Sequence, residues 1–499
     1  MEVNFLKKPL RCMKPILSQV HSQEQTMEIR LPDAYPDIGK ILCCWGQPLI
    51  RGKEWRNSGI AANGGVMAWV MYMPEDGTQP RVVDAWLPFQ CHWDFSATSD
   101  NGMFTVQPLL SGLDGRSTSA RKIMLRAVVE NAAQAMESAV VDVPVPAELP
   151  EDVQLLSRHY PAQLPVEAGE KQVQIAESLS IPTDKQPLHK LIGYTLQPVI
   201  NEQKVLSNRM VFHGQAELNV RYMTEDGVMD SWETEIPFSQ YTELDRDYDA
   251  GASAWVMPMV TTLEMELSED SQLHLNAGLS AQYVIYDETM LDLIEDAYSP
   301  NRDVKVQNAD LQLPILLDSP ELELTVTALQ TQDMDQVLHT GVMTSAPYLQ
   351  MGDDALAVHM DGRFQILYTD DQAHMTEDTI RFTGNVPFKS AEANRTDLWL
   401  GRGTKPEYRP DAEGMRIQCQ YPISAQVYSI QPKTVVTGLE IGERKEPEPN
   451  RPAIILRRAG DEDLWTIAKK SGSTVEAIRS ANHLNGEPED GKMLLVPVI

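Results

Sequence analysis

The chain has 499 residues, room for about three or four domains of ordinary size, and its 42 % apolar content is enough to build hydrophobic cores. The formal net charge of -30 excludes nucleic acid and bare anionic lipid as natural partners, because such a surface repels both; a basic protein or a neutral glycan stays open. Cys12, Cys43, Cys44, Cys91 and Cys419 are odd in number, two are adjacent, and none forms a Cys-x-x-Cys pair, so neither a structural metal site nor a disulfide framework is expected and a reducing compartment fits best.

In chain order, the N-terminus Met1-Glu2-Val3-Asn4-Phe5-Leu6-Lys7-Lys8-Pro9 lacks the apolar stretch of a signal peptide. No run of about 18 apolar residues follows, so no transmembrane segment and a cytosolic location are expected. A long internal repeat comes next. Leu31-Pro32 matches Ile181-Pro182, Gln47-Pro48-Leu49-Ile50 matches Gln197-Pro198-Val199-Ile200, and Gly64 matches Gly214. Tyr72-Met73-x-Glu75-Asp76-Gly77 matches Tyr222-Met223-x-Glu225-Asp226-Gly227, and Ile123-x-Leu125-x-Ala127 matches Leu273-x-Leu275-x-Ala277, all about 150 positions apart. A diverged third copy reads from Phe364-x-Ile366-Leu367-Tyr368-Thr369-Asp370-Asp371, with Pro387-Phe388 in the place of Pro88-Phe89 and Pro237-Phe238 and Met415–Cys419 as its late strand.

Each copy reads as β. Glu217–Tyr222 alternates polar with apolar, Glu225-Asp226-Gly227 is a hairpin turn, and Lys122–Val129 is a later strand. The expected architecture is therefore mainly β: antiparallel sandwich-like repeats over 1–150, 165–300 and, diverged, 301–440. The Pro-rich stretch Val141–Pro150 reads as a stiff connection, and 441–452, charged and Pro-rich, as the clearest linker.

Residues 453–499 change pattern. Ile454–Arg458 reads as a strand and Asp463 as the cap of a helix over Leu464–Lys470 that ends at Ser471-Gly472. Ser473-Thr474-Val475-Glu476 reads as a capping box with Ser473 at the cap, a second helix reaches Asn482, and Gly491–Pro497 closes as a strand. A small βααβ core of Leu464, Trp465, Ile467, Ala468, Val475, Ile478, Leu494 and Val496 is expected. Gly486-x-x-x-x-Gly491-Lys492 mimics a phosphate-binding loop, but Met493 replaces the required Ser or Thr and Glu487, Glu489 and Asp490 would repel phosphate. No nucleophile elbow, His-Glu-x-x-His or dinucleotide fingerprint occurs, so no catalytic residue, metal or cofactor is expected and the chain reads as a non-enzyme.

Two resemblances extend this reading. Gly460-Asp461, Leu464-Trp465-x-Ile467-Ala468, Val475-x-x-Ile478-x-x-Ala481-Asn482-x-Leu484 and Gly491-x-x-Leu494-x-Val496-Pro497 resemble the LysM family throughout the module, with one extra residue between Gly460 and Leu464. The resemblance implies a groove between two loops. Gly460, Asp461, Glu462 and Asp463 form one; Asn482, His483, Leu484, Asn485, Glu487 and Pro488 form the other. Gly214-x-x-x-Leu218-x-Val220-x-Tyr222, Pro237-Phe238 and Arg121-Lys122-Ile123-x-Leu125-Arg126-Ala127 resemble the SPOCS domain of Firmicute sporulation proteins. Tandem SPOCS repeats before one LysM imply a spore-coat morphogenesis scaffold in the mother-cell cytoplasm, at the forespore surface. Its expected partners are a coat-basement ATPase (SpoIVA-like), bound through the LysM, and other coat proteins. The alternative the resemblance leaves open is a LysM that binds peptidoglycan or another glycan.

Overall fold

The computed structural model describes residues 1–56, 58–95, 102–268, 271–332, 334–351, 356–369, 375–389, 395–446, 452–460 and 462–499. The chain is mainly β, with two short helices near its C-terminus among the described residues. After a short β1 (Glu2–Asn4), the first repeat contains β2 (Leu6–Arg30), β3 (Ile38–Arg56), β4 (Gly59–Pro74), β5 (Arg81–Asp94), β6 (Gly102–Ser119) and β7 (Lys122–Val145). They form two antiparallel sheets, β2-β7-β6 and β3-β4-β5. Alternation puts Leu17, Val66, Val70, Phe89, Ile123 and Leu125 in the core between them.

The second repeat has the same strand order. Its strands are β8 (Gln154–Leu179), β9 (Lys190–Leu206), β10 (Arg209–Met223), β11 (Met229–Glu243), β12 (Ser253–Leu267) and β13 (Leu273–Tyr298), paired as β8-β13-β12 and β9-β10-β11. The third repeat keeps this order with its long strands broken. The equivalent of β8 is β14 (Arg302–Leu311), β15 (Ile315–Asp318) and β16 (Glu321–Gln330). The central hairpin is β17 (Gln336–Thr344) and β18 (Tyr348–Met351) against β19 (Leu356–Thr369), then β20 (Met375–Pro387). Last come β21 (Arg395–Leu400), β22 (Glu407–Asp411), β23 (Gly414–Ser429) and β24 (Lys433–Arg444), with β23 pairing β15, β16, β21 and β22, and β24 pairing β14.

Two local devices recur. A Cβ on Gly64 would lie 1.9 Å from the Leu49 carbonyl oxygen, and one on Gly214 would lie 2.3 Å from that of Val199, so only glycine lets these strands approach. Each is covered by a phenylalanine on the neighbouring strand: Gly64 faces Phe89, Gly214 faces Phe238 and, in the third repeat, Gly362 faces Phe382. Near the hairpin turns, the Tyr72 hydroxyl donates to the Pro36 carbonyl at 2.9 Å and the Tyr222 hydroxyl to that of Gln186 at 3.1 Å. Tyr368 points into the third core in the same way. It stands two residues nearer its glycine than Tyr222 does, and a two-residue change keeps the same face because strand side chains alternate. The Pro387-Phe388 match is thereby corrected: Pro387 pairs with Ala357 at the far end of β20, and Phe382 is the counterpart of Phe89 and Phe238. Asp370 and Asp371 lie outside the described residues.

The repeats are not beads on a string. β1 pairs with β24 of the third repeat, and the Met1 ammonium donates to the Ile441 carbonyl at 2.7 Å. Among the described residues, the pairing of Leu316 with Gln163 joins the sheets of the second and third repeats. Glutamine side chains, buried at Gln107 and Gln282 and half-buried at Gln47, clasp backbone across the seams. Gln47 donates to and accepts from Leu196 at 2.6 and 2.9 Å, Gln107 does the same with Leu400 at 2.6 and 3.0 Å, and Gln282 with Val106 at 3.2 and 3.0 Å. A primary amide carries the same donor–acceptor pair as a peptide unit, so it caps a strand edge as another strand would.

These contacts correct several boundaries. The expected start of repeat two at 165 falls inside β8, and the expected linker start at 441 falls inside β24, which runs to Arg444. Residues 447–451 of that linker lie outside the described residues. The Pro-rich Val141–Val145 continues β7 in register with Leu6–Leu10, and Pro144 is tolerated because, among the described residues, β6 pairs with β7 only as far as Glu137 and no strand pairs with it there on that side.

Candidate functional site

The C-terminal module is β25 (Ile454–Arg458), α1 (Leu464–Ser471), α2 (Val475–Asn482) and β26 (Met493–Pro497), with the two strands paired antiparallel. Leu464, Ile467, Ala468, Ile478, Leu494 and Val496 are each buried in its core, while Val475 and Trp465 pack at the edge of that cluster. Trp465 therefore differs from expectation. Its ring is half-buried and turned away from the module's centre, towards β13, because i, i+3 and i+4 of α1 already fill the inward face.

Local chemistry sets the helix ends. The Asp463 carboxylate accepts from the Thr466 amide at 2.9 Å, and hydrogen bonds from the Thr466 side chain and then from this amide hold its pKa below the usual carboxylate range. Gly472 ends α1 with φ of 64°. The capping box is corrected by one residue: Thr474 is the cap of α2, its hydroxyl accepting from the Ala477 amide at 3.1 Å, whereas Ser473 is fully buried and its hydroxyl has no hydrogen-bond partner. Sequence alone could not separate adjacent Ser and Thr, since both caps are chemically equivalent.

The expected groove loops come together, but not as an open floor. In the first, Gly460 has open space above it, Glu462 is gripped by Arg457 and Lys470, and Asp463 is committed to the cap; Asp461 lies outside the described residues. In the second, the Asn482 amide clasps Leu495, donating to its carbonyl at 2.6 Å and accepting from its N–H at 2.8 Å. His483 ends α2 in the left-handed region at φ of 51°, Leu484 packs onto the module core, Asn485 is exposed and Pro488 half-buried. The Glu487 carboxylate reaches across and accepts from the Leu464 N–H at 3.1 Å, with Arg479 3.7 Å away. Glu487 thus bridges the two loops and satisfies one of the free N–H donors at the start of α1. Of the carboxylates on these two loops, Glu462, Asp463 and Glu487 are internally engaged.

The module is seated on the second repeat. Trp465 Nε1 donates to Asp296 at 2.9 Å, Lys469 Nζ lies 2.8 and 2.7 Å from the two Asp296 oxygens, and the Tyr298 ring meets Trp465 edge-on at 4.7 Å. Burial alone would raise the Asp296 pKa, yet the Lys469 and Trp465 hydrogen bonds hold it below the usual range. Sequence reasoning missed Asp296 and Tyr298; nothing in their local pattern separates them from any strand end.

Elsewhere, a cavity of about 1090 Å³ opens where the three repeats converge. Arg402 pairs there with Glu217, and Lys405 with Glu233, tying the third repeat to the second. Arg221 lies over the Trp45 ring at 5.4 Å, with His339 edge-on to that ring at 5.8 Å, so one residue from each repeat meets at the junction. Burial pulls the Arg221 pKa down to about 10, and burial followed by the Arg221 charge holds His339 well below its ordinary value. All five cysteines are free and buried, and burial raises their thiols out of the reactive range, Cys12 and Cys91 each to about 11. Among the described residues, no cluster of His, Cys, Asp and Glu is placed to hold a metal ion, and no helix is long and apolar enough to cross a membrane. Compared with family models, with curated proteins and with solved structures, the chain matches none.

Proposed function

We propose that the chain is a non-enzymatic spore-coat morphogenesis scaffold, working in the mother-cell cytoplasm at the forespore surface, whose LysM-like module binds a coat-basement ATPase. The observation that carries this reading is the arrangement itself: three copies of one sandwich, tied to one another by strand pairing and glutamine side chains, followed by one small βααβ module with short loops. Fusion by strand pairing and glutamine clasps suits a rigid spacer that must hold its shape under load. Protein is favoured over glycan because Glu487 occupies the N–H of Leu464 and closes the space between the loops. A glycan groove needs such donors free together with an apolar floor. Peptidoglycan binding is the competing outcome of the test. Pull-down from sporulating cells with the full chain and with a chain lacking 453–499 should recover coat proteins, the ATPase first, only with the full chain. Equal recovery by both would overturn the proposal.

A further inference from the structure

The contact between the module and β13 has a defined chemistry. Asp296 and Tyr298 stand two residues apart on one side of the strand. Asp296 accepts from both Trp465 Nε1 and Lys469 Nζ, and Tyr298 lays its ring against Trp465 and donates its hydroxyl to the Ser473 carbonyl at 3.0 Å. Tyr298 is 5 % exposed and belongs to the module's hydrophobic cluster although it lies in the second repeat. An aromatic ring beside a cation, emptied of this occupant, is the composition of an interface anchor.

We propose that the α1 face carrying Trp465 and Lys469 is a recognition surface for a strand segment presenting a carboxylate and an aromatic ring two residues apart, and that β13 occupies it in cis. The external partner is then a protein offering the same acid-x-aromatic pattern. It must displace Asp296 and Tyr298, which the connection between Arg444 and Ile454 keeps close at hand. This extends the proposed function, resting on the reading that the module is the partner-binding element, and it places the contact on α1 rather than in the loops.

The test uses the full chain in three forms: wild type, Asp296→Lys, and Asp296→Lys with Lys469→Asp. The first substitution sets like charges together and opens the latch; the second restores an ion pair with reversed sign and closes it. The probe is a fluorescent peptide of residues 292–300 of this chain. It should bind Asp296→Lys at least tenfold more tightly than wild type, lose that gain in the charge-swapped form, and lose it again when Trp465→Ala is added to Asp296→Lys. Equal binding to wild type and to a folded Asp296→Lys chain, or binding indifferent to Trp465→Ala, would overturn the proposal. The coat-basement ATPase, titrated in parallel, separates the two readings. A tenfold gain with Asp296→Lys supports the shared surface, and equal affinity for both forms refutes it while leaving the scaffold reading intact. Failure of the ATPase to bind any form, with the peptide pattern as expected, refutes the scaffold reading and supports the recognition surface.

Discussion

Replacing Gln107 with Met should loosen the seam between the first and third repeats without changing either core. Met matches glutamine in length but carries no amide, so the Leu400 N–H and carbonyl both lose their partner. Gln107 is only 9 % exposed. Stranding a buried backbone group costs about 1–3 kcal/mol, and two groups give about 2–6 kcal/mol. Because Gln107 and Leu400 both line the junction cavity, water can reach them after the substitution, which favours the lower end. At about 2 kcal/mol, local opening at Leu400 becomes roughly thirtyfold more frequent. Hydrogen exchange at the Leu400 amide reads this directly and avoids assuming two-state unfolding for a chain of several units. Gln107→Glu should be worse, since it keeps an acceptor for the N–H but sets a carboxylate against the carbonyl. Exchange at Leu400 within twofold of wild type in Gln107→Met would refute the clasp as a structural tie.

Gly214→Ala should cost about 1–3 kcal/mol in a denaturant titration, because its Cβ would meet the Val199 carbonyl at 2.3 Å and the Phe238 ring at 2.7 Å; an unchanged midpoint would contradict the close-approach argument. Residues 453–499 should melt cooperatively when isolated, with a core worth about 3–5 kcal/mol. Within them Thr474→Ala should cost about 1 kcal/mol while Ser473→Ala is neutral within about 0.5 kcal/mol, the reverse of what a serine cap requires. His339 is held neutral by burial and by Arg221, so its folded pKa is depressed. Its stabilising contribution is full above about pH 6.5, the unfolded value, and is lost as pH falls towards the folded value. Between pH 7.5 and 5.5 wild type should therefore lose more stability than His339→Gln, measured as denaturant midpoints; parallel pH profiles would count against it.

What the sequence revealed is what period and spacing encode. The repeat offset placed Tyr72 with Tyr222 and Gly64 with Gly214, and their shared hydrogen bond and shared close approach explain why those residue types recur. The ends of β25 and α1 were legible because Asp463 and Gly472 act within a few residues of themselves. What stayed hidden depends on partners far along the chain. Gln107 and Gln282 look like ordinary strand polar residues until Leu400 and Val106 stand opposite them. The boundary at 165 cuts through one long strand, since β8 runs from Gln154 to Leu179 with Pro161 and Pro165 in register with Met290 and Tyr286. Trp465 looked like a core residue since its neighbours are; its half-buried position follows from Asp296 and Tyr298, about 170 residues earlier. In the third repeat, the shortened hairpin shifted Phe382 out of the Pro-Phe frame that the first two copies share.

The central claim, that the C-terminal module recognises protein, is tested most directly by titrating the full chain and a chain lacking 453–499 with the coat-basement ATPase and, separately, with chitin and peptidoglycan oligomers. The expected result is saturable binding of the ATPase to the full chain only, with no sugar binding at the same concentrations. Micromolar binding of the oligomers to the full chain, with none of the ATPase, would contradict it and make the module a glycan reader despite the Glu487 closure.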